Sequence, residues 1–363
     1  MTNDLEEILS AYPIQSTVRE IVPFGHGHIN KSFRVITTEK SSPDYFLQEI
    51  NHHVFRDVDG MMRNIWLVTK YLADKYEAEE RGSSENRVLT LIETETGSLY
   101  HQSGGSYWRL FNFMQNLTSY DVPTSTSQVY EGAKAFGGFI RDLDGFDAAS
   151  LTETIPFFHH MPNRLKIFDG VLKQLDHTLS EEETYEVNFI REVSDEMCQL
   201  QKLLDANKLP LRVTHNDTKF NNVLLDTHDH AKCIIDLDTV MPGIIHFDFG
   251  DGVRTGTTKM DEDEKDLQLV DVDLELFDAF CHGYLDPLRE VLSPIEIDLL
   301  SHSAAMMPFI MGLRFLTDYL DGNQYYKITY ENQNLVRARC QLQLCRQMMK
   351  RGKDLDLIVN KYV

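Results

Sequence analysis

The first third of the chain alternates short runs of β-branched and aromatic residues with polar turns, a pattern typical of β-strands. These runs are IVPF, FRVITT, DYFLQEI, RVLTLIET and SYWRLFNFM. The segment TGSLYHQSGGSYW predicts a hairpin with Gly104 and Gly105 at its tip. Between Met61 and Tyr76 the pattern changes and predicts one helix among the strands.

Beyond Met114 the apolar residues recur mainly at the spacing of helices. Two apolar helical faces are formed by Val129, Ala133, Phe136, Ile140 and Leu143, and by Val187, Ile190, Val193, Met197 and Leu200. Residues 296–320 and 333–350 predict two further long helices. Only RVTHNDTKFNNVLLD and AKCIIDLDTVMPG resemble strands in this part of the chain.

These patterns together predict an α+β protein with two lobes. Residues 1–113 form a small antiparallel-β N-terminal lobe, which we expect to bind the nucleotide. Residues 114–363 form a larger, mainly helical C-terminal lobe for catalysis and substrate binding. A length of 363 residues agrees with two lobes, because it exceeds the usual size of one hydrophobic core.

The composition narrows the possible partners. The formal net charge is −22, so the surface repels nucleic acid and anionic lipid, and we expect neither as a partner. An anionic substrate must therefore be bound by local donors and a metal ion. The acidic surface without an apolar stripe favours a monomer.

The cysteines and the N-terminus indicate a cytoplasmic protein. The five cysteines are an odd number without a CxxC pair, which predicts buried, reduced thiols rather than disulfides or a zinc site. The N-terminus MTNDLEEILSAYP is acidic and does not resemble a signal peptide. The apolar run from Ala304 to Leu313 is too short to span a membrane.

The segment VTHNDTKFNNVLL contains the most informative motif, H-x-D-x-x-x-x-N, formed by His215, Asp217 and Asn222. A further carboxylate, Asp236, follows within the apolar run CIIDLD. Phosphoryl transfer needs a carboxylate near the acceptor hydroxyl, and an amide oxygen and a second carboxylate to hold magnesium. An isolated H-x-D would be weak evidence, but the full spacing predicts a phosphotransferase.

Neighbouring residues allow more than one role. Asp217 and Asn222 could instead cap a turn, although their apolar flanks argue against a purely structural role. We expect His215 to fix the loop by packing and hydrogen bonding. Lys219 could neutralise the transferred phosphoryl group or lie in solvent, and Asp238 could be a third metal contact or a cap.

These motifs resemble the aminoglycoside phosphotransferase and choline kinase group, which has a bilobal protein-kinase-like fold. Longer strings resemble the N-acetylhexosamine 1-kinases, and they run from residue 23 to about residue 339: PFGHGHIN, WLVTKYL, THNDTKFNN, IIDLDTVMPG, FDFGDGVR, EDEKDL, GLRFLTDYL and NLVRAR. The resemblance implies ATP- and Mg²⁺-dependent phosphorylation of the anomeric C1 hydroxyl of N-acetylglucosamine or N-acetylgalactosamine.

The resemblance also implies roles for individual residues. Asp217 would be the catalytic base, and Asn222 and Asp236 would bind Mg²⁺. The sugar would contact His28, Asn30 and Arg314. The nucleotide would contact Gly25, Gly27 and Lys219. Their structural alternatives are a hydrogen-bonded turn for His28 and Asn30, an ion-paired helix residue for Arg314 and a simple hairpin for the glycines.

The sequence leaves two points about the nucleotide site open. Kinases usually place a lysine on the third strand, but here Gln48 occupies the position that aligns with it. Arg63 or Arg109 could supply the missing charge. The adenine would lie against Trp108, Phe111 and Phe113, although aromatic residues are more often part of a core.

Other functions remain compatible with the motifs. The chain could phosphorylate another small hydroxyl compound, such as choline, ethanolamine, homoserine or an aminoglycoside. A choline site would need an aromatic or acidic pocket for a cation. A nucleotide-binding protein without catalytic activity is a third hypothesis, but the intact Asp217, Asn222 and Asp236 argue against it.

Overall fold

The structure, a computed structural model, describes residues 2–25, 29–39, 42–79 and 86–363. The predicted ligand residues Gly27 and His28 lie outside these ranges. The chain divides into two compact units that are not continuous in sequence. The first unit comprises Met1–Ser119, Asp142–Pro156 and Asn222–Pro242, and the second unit comprises Tyr120–Arg141, Phe157–Asn221 and Gly243–Val363. This division differs from the predicted boundary after residue 113, because residues 114–119, 142–156 and 222–242 also belong to the first unit.

An antiparallel sheet forms the centre of the first unit. Its strands are β1 (Val18–Pro23), β2 (Lys31–Thr37), β3 (Tyr45–Ile50), β4 (Leu91–Ile92), β5 (His101–Ser103) and β6 (Ser106–Asn112). They are ordered β1-β2-β3-β6-β4, and β5 also pairs with β6. The run RVLTLIET forms only the two-residue strand β4. Strand β5 pairs with the start of β6, so β4 pairs only with Leu110 and Phe111 of β6.

The predicted hairpin between β5 and β6 is confirmed. Its tip residues Gly104 and Gly105 have φ values of +59° and +83°, which a residue without Cβ adopts at little cost. Ser103 and Ser106 form the last pair of the ladder beside the tip. The turn therefore fixes the register of β6.

Helix α1 (Thr2–Leu9) covers one face of this sheet. Leu5, Ile8 and Leu9 of α1 are buried in one core cluster with strand residues that include Trp108. The hydroxyl group of Tyr12 donates a 2.6 Å hydrogen bond to the Trp108 carbonyl. Because side chains alternate along a strand, Arg109 and Phe111 point to the opposite face of β6.

The first unit also contains the helix predicted between Met61 and Tyr76 and a short hairpin. The helix is α2 (Val58–Ala78), which begins at the N-cap Asp57. The hairpin pairs β8 (Val223–Leu225) with β9 (Ala231–Ile234). It joins the sheet-bearing unit although it lies more than 100 residues further along the chain.

The second unit is mainly helical. Its helices are α3 (Thr126–Asp142), α4 (Met161–Gln174), α5 (Glu181–Met197), α6 (Gln199–Asp205), α7 (Ile245–Gly256), α8 (Leu274–Leu285), α9 (Pro294–Asp298), α10 (Leu300–Leu320), α11 (Gln333–Lys350) and α12 (Gly352–Val359). The short strand β7 (Arg212–Thr214) belongs to this unit, whereas β10 (Met241–Gly243) spans the point in the chain where the first unit ends at Pro242. Helix α10 packs against α4, α5, α7 and α11, and most of its residues are buried.

The predicted helices are confirmed with two changes. The single helix expected over residues 296–320 is divided at Leu299 into α9 and α10. A capping box of Ser293 and Glu296 starts α9. Leu200 belongs to α6 and not to α5. No helix within the described ranges is long and apolar enough to cross a membrane.

Candidate functional site

The loop after strand β7 carries the predicted base. His215 is fully buried, and its ring packs edge-on against Phe136 and Phe139 with centroid distances of 5.5 Å and 6.2 Å. Its Nδ1 accepts the backbone N–H of Asp217 at 3.3 Å. Asn216 adopts a left-handed conformation with φ +64°, which asparagine tolerates better than most residues. His215 thus has the packing role that its sequence context predicts.

Two buried carboxylates on helix α7 hold this loop through hydrogen bonds from its backbone N–H groups. Asp248 accepts the backbone N–H groups of His215 at 2.8 Å and of Asn216 at 2.7 Å. Asp251 accepts the N–H of Thr218 at 3.1 Å and pairs with the buried Arg254 at 2.9 Å. Backbone groups on both sides of Asp217 are therefore fixed by one rigid helix.

Lys219 controls the charge of Asp217. The Lys219 ammonium lies 2.9 Å from a carboxylate oxygen of Asp217. Burial opposes ionisation of Asp217, but Lys219, together with His215 and Arg254, outweighs burial and lowers its pKa. The same contact raises the pKa of Lys219. Asp217 is consequently ionised at neutral pH, as a general base must be.

The supporting carboxylate Asp248 titrates at a higher pH than Asp217. Burial raises the pKa of Asp248 to about 6, although His215 and the two backbone N–H donors partly offset this effect. Only the ionised form accepts both N–H groups in full. Protonation of Asp248 in mild acid therefore weakens the support of the base loop before Asp217 itself is protonated.

Arg314 lies elsewhere in the second unit, on α10, among aromatic rings. Its guanidinium carbon is 5.2 Å from the ring centre of Phe158, 6.0 Å from Tyr325 and 5.6 Å from Tyr326. No carboxylate pairs with Arg314 among the described residues. The ion-paired alternative predicted for Arg314 is therefore wrong.

The predicted metal ligands lie at one end of the β8–β9 hairpin in the first unit. The last ladder pair is Val223 with Ile234, and the carbonyl of Asn222 accepts the N–H of Ile235 at 2.9 Å. Asp236 follows at once, exposed and left-handed with φ +60°. Hairpin pairing thus brings an amide oxygen and a carboxylate to the same end, and such hard oxygen donors fit Mg²⁺.

Arg109 supplies the positive charge beside Gln48. The two residues pair directly across β3 and β6, and Arg109 donates to the Gln48 side-chain oxygen at 3.0 Å and 2.8 Å. Arg109 also forms a buried ion pair with Asp238. Arg63, the other residue considered, is exposed and donates to the carbonyl of Ser150. Arg109 therefore connects the strand position of the missing lysine with the segment that follows Asp236.

Asn30 takes part in the same network. Its side-chain amide donates to Asp238 at 2.7 Å, and its oxygen accepts the backbone N–H of Asn51 at 2.9 Å. Asp238 is 3% exposed and satisfied by Arg109 and Asn30. Each polar atom of Asn30 retains the capacity for a second hydrogen bond.

The predicted nucleotide contacts are placed as follows. Gly25, two residues beyond the end of β1, has φ +82°, and no heavy atom would touch an added Cβ. Phe113 packs edge-on against Phe24, with their ring centres 5.1 Å apart. Trp108 belongs to the core beneath α1, so the expectation that it contacts adenine is wrong. The sequence could not assign Trp108 to a face of the sheet without knowing that α1 covers it.

Comparison with known protein families identifies the class. Residues 20–294 match the phosphotransferase enzyme family (APH), which is well over half of the chain. The protein is therefore a phosphotransferase that acts on the hydroxyl group of a small compound. It belongs to the APH phosphotransferase enzyme family.

Solved structures show the fold. An aminoglycoside phosphotransferase from Alicyclobacillus acidocaldarius subsp. acidocaldarius DSM 446 is similar with a TM-score of 0.62 and 12% identity, covering 98% of this chain and 96% of that chain. A choline kinase from Cryptosporidium parvum Iowa II has a TM-score of 0.62 and 14% identity, with 100% and 99% covered. A spectinomycin phosphotransferase in complex with ADP and spectinomycin has a TM-score of 0.58 and 14% identity, with 97% and 98% covered. The predicted α+β protein-kinase-like fold is thereby confirmed.

Proposed function

We propose that this protein transfers the γ-phosphoryl group of ATP to the anomeric C1 hydroxyl of N-acetylglucosamine or N-acetylgalactosamine. The observation that carries the proposal is the environment of Arg314, the residue that the GLRFL string assigns to the sugar. Aromatic rings could form a cage for a choline-like cation, but here they surround the Arg314 guanidinium itself. A neutral sugar with hydrogen-bond acceptors suits such a site better than an ammonium compound.

Asp217 is the base in this proposal. The anomeric hydroxyl is more acidic than an ordinary alcohol, so a carboxylate suffices to accept its proton as the phosphoryl group is transferred. Asp248 and His215 keep the carboxylate in position through the backbone of the loop. Lys219 keeps it ionised, and in this proposal its ammonium group also contacts the phosphates.

Asn222 and Asp236 would hold Mg²⁺, which when bound neutralises charge on the ATP phosphates. Gly25 and Gly27 would cover these phosphates. His28, Asn30 and Arg314 would bind the sugar. The nucleotide in the similar spectinomycin phosphotransferase supports ATP as the donor.

A panel of acceptors tests the proposal. The protein is incubated with ATP, Mg²⁺ and, separately, N-acetylhexosamines, plain hexoses, choline, ethanolamine, homoserine and kanamycin, and the phosphorylated products are identified by NMR. We expect an N-acetylhexosamine 1-phosphate. Turnover of another acceptor without any turnover of an N-acetylhexosamine would disprove the proposal and favour the alternative small hydroxyl compounds.

Two substitutions test the assigned residues. Asp217→Asn removes the base and should lower kcat about 10²- to 10⁴-fold while ATP binding is kept. Asp236→Ala should abolish Mg²⁺-dependent binding of ATP, measured by calorimetry. Turnover at the wild-type rate in Asp217→Asn would remove this residue from its proposed role.

A further inference from the structure

Two guanidinium groups meet at Phe158 in the second unit. Arg164 donates from Nε and Nη2 to the carbonyl of Phe158 at 3.2 Å and 2.8 Å. Arg314 lies over the ring of the same residue, 5.2 Å from its centre. Neither arginine pairs with a carboxylate in the part of the chain that the structure describes. The two positive charges are thus close together, and neither has an ion-pair partner within that part of the chain.

Stability alone does not favour this arrangement. Arg164 lies in the first turn of α4, the positive end of the helix dipole, where a cation is unfavourable. Burial, with the nearby Arg314, lowers the pKa of Arg164 to about 10. The chain carries 57 acidic residues against 35 basic ones, so carboxylate partners are abundant in the sequence. That neither arginine has an ion-pair partner within the described ranges indicates that the positive potential has a use.

The arginines lie next to the base loop. His159 follows Phe158 in the chain, and its Nε2 is 3.2 Å from the carbonyl of Asn216, the residue that precedes Asp217. Burial and the positive charge of Arg314 lower the pKa of His159 to about 3, so its ring is neutral. The charges of Arg164 and Asp217 also act on this ring. An acceptor that contacts the His159 ring would therefore lie near both arginines.

Polar atoms with unused hydrogen-bonding capacity mark the same place. His159 is 7% exposed, and its Nδ1 has no hydrogen-bond partner among the described residues. Within the same set the buried hydroxyl of Tyr326 has none either, and this residue is one of those around Arg314. Buried polar atoms are normally satisfied, so two such atoms beside the arginines indicate a ligand with polar groups.

Nearby carboxylates offset only part of the positive charge. The negative charge of ionised Asp217 is balanced by the ammonium group of Lys219, which lies 2.9 Å away. Glu262, whose charge acts on Tyr326, is paired with Arg254 at 2.9 Å. Asp318 accepts the backbone N–H groups of Tyr325 and Tyr326 and has no cationic partner among the described residues. One negative charge therefore lies near the rings that surround Arg314, against the two guanidinium groups, and an excess of positive charge remains.

We propose that Arg164 and Arg314 make the acceptor site select by charge, so that neutral acceptors are phosphorylated and those carrying an ammonium group are rejected. This inference rests on the proposed function and deepens it, because acylation of an amino sugar removes the charge of its amine. The N-acetyl group is then required for its neutrality as well as for its shape. Arg164 is a specificity-determining residue and takes no part in the chemistry.

The test compares acceptors that differ in charge. Glucose, glucosamine and N-acetylglucosamine are assayed at neutral pH or slightly below, where most of the glucosamine is protonated. Choline and its uncharged isostere dimethylbutanol form a second pair. We expect kcat/KM for glucosamine to be about ten-fold or more below that for glucose. Repulsion between the substrate's ammonium group and the guanidinium groups at a partly solvated site has an effect of this order.

Two substitutions separate charge from packing. Arg164→Gln should raise kcat/KM for glucosamine relative to glucose by about ten-fold. Arg164→Lys, which keeps the charge but loses the two-pronged contact with Phe158, should preserve the discrimination. Thermal unfolding curves are recorded for both variants to check that they are folded. Equal loss of discrimination in both variants would overturn the assignment of Arg164.

The outcomes distinguish the two proposals. If the wild-type protein uses glucosamine and glucose equally and also turns over N-acetylglucosamine, charge selection is overturned while the proposed function stands. If no N-acetylhexosamine reacts, the proposed function fails, and the choline pair decides the charge question. Preference for choline over dimethylbutanol would then overturn charge selection as well.

Discussion

The charge of Asp217 depends mainly on Lys219, and this dependence predicts a shift in the pH profile. Lys219 lies 2.9 Å from the carboxylate and counteracts the effect of burial on its pKa. Lys219→Met removes that counteraction, so the pKa of Asp217 rises. The base is active when ionised, and activity is lost as the pH falls through this pKa. The acid limb of kcat/KM should therefore move to higher pH than in the wild-type protein.

The pH profile also separates the two roles of Lys219. A loss of affinity for ATP without a moved acid limb would mean that Lys219 contacts the phosphates but does not set the charge of Asp217. Arg19→Met is a suitable control, since Arg19 lies on β1 in the other unit. Its acid limb should match that of the wild-type protein.

The buried pair of Arg109 and Asp238 predicts a large effect on stability. The two side chains are 2% and 4% exposed, so Arg109→Met leaves a buried carboxylate without its cation. We expect the free energy of unfolding to fall by about 3 kcal/mol in denaturant titrations. Adding Asp238→Asn should restore part of the loss. Lys31→Met breaks an ion pair whose lysine is 73% exposed and should cost less than about 1 kcal/mol.

A small effect of Arg109→Met, similar to that of Lys31→Met, would show that the pair is not a buried support. If the pair does hold the segment after Asp236, the same substitution should also raise KM for ATP. Arg109 is thus expected to act on the reaction through Asp238, as a positioning residue.

At the scale of elements, the position of α7 determines the base loop. A Cβ at Gly250 would lie 2.4 Å from the carbonyl oxygen of Ser303 on α10. Gly250→Ala must therefore push α7 away from α10, which we expect to destabilise the protein by about 1–3 kcal/mol. Because α7 carries Asp248 and Asp251, kcat should fall as well.

The matched control for α7 is Gly170 on α4, where no heavy atom lies within 4 Å of an added Cβ. Gly170→Ala should stabilise the protein by about 0.5–1 kcal/mol, because alanine loses less backbone entropy in a helix. Thermal unfolding and kcat are measured for both variants. Equal behaviour of the two would contradict the close packing of α7 and α10.

At the scale of the whole molecule, the prediction of buried, reduced thiols is confirmed. All five cysteines are free and buried: Cys198, Cys233, Cys281, Cys340 and Cys345. Burial raises the pKa of each of these thiols, which lowers its reactivity. Ellman's reagent should label none of them in the native protein and all of them after unfolding. Fast labelling of the native protein would contradict this.

The sequence by itself determined the features that depend on residues close together along the chain. The hairpin at Gly104 and Gly105 follows from local turn chemistry. The spacing from Asp217 to Asn222 and Asp236 predicts the phosphotransferase class that the family match confirms. Helical periodicity likewise predicted α3, α5 and α11, because each forms one apolar face from consecutive turns.

Only the tertiary structure decided which distant residues meet. Arg109 contacts Gln48 across 61 residues and Asp238 across 129 residues, so no local pattern could select it over Arg63. Trp108 belongs to the core because α1 covers its face of the sheet. The two carboxylates of the FDFGD string were visible in the sequence, but their role came from the backbone groups that α7 reaches in the folded chain. Long-range contacts depend on how elements pack, and one sequence carries no direct record of them.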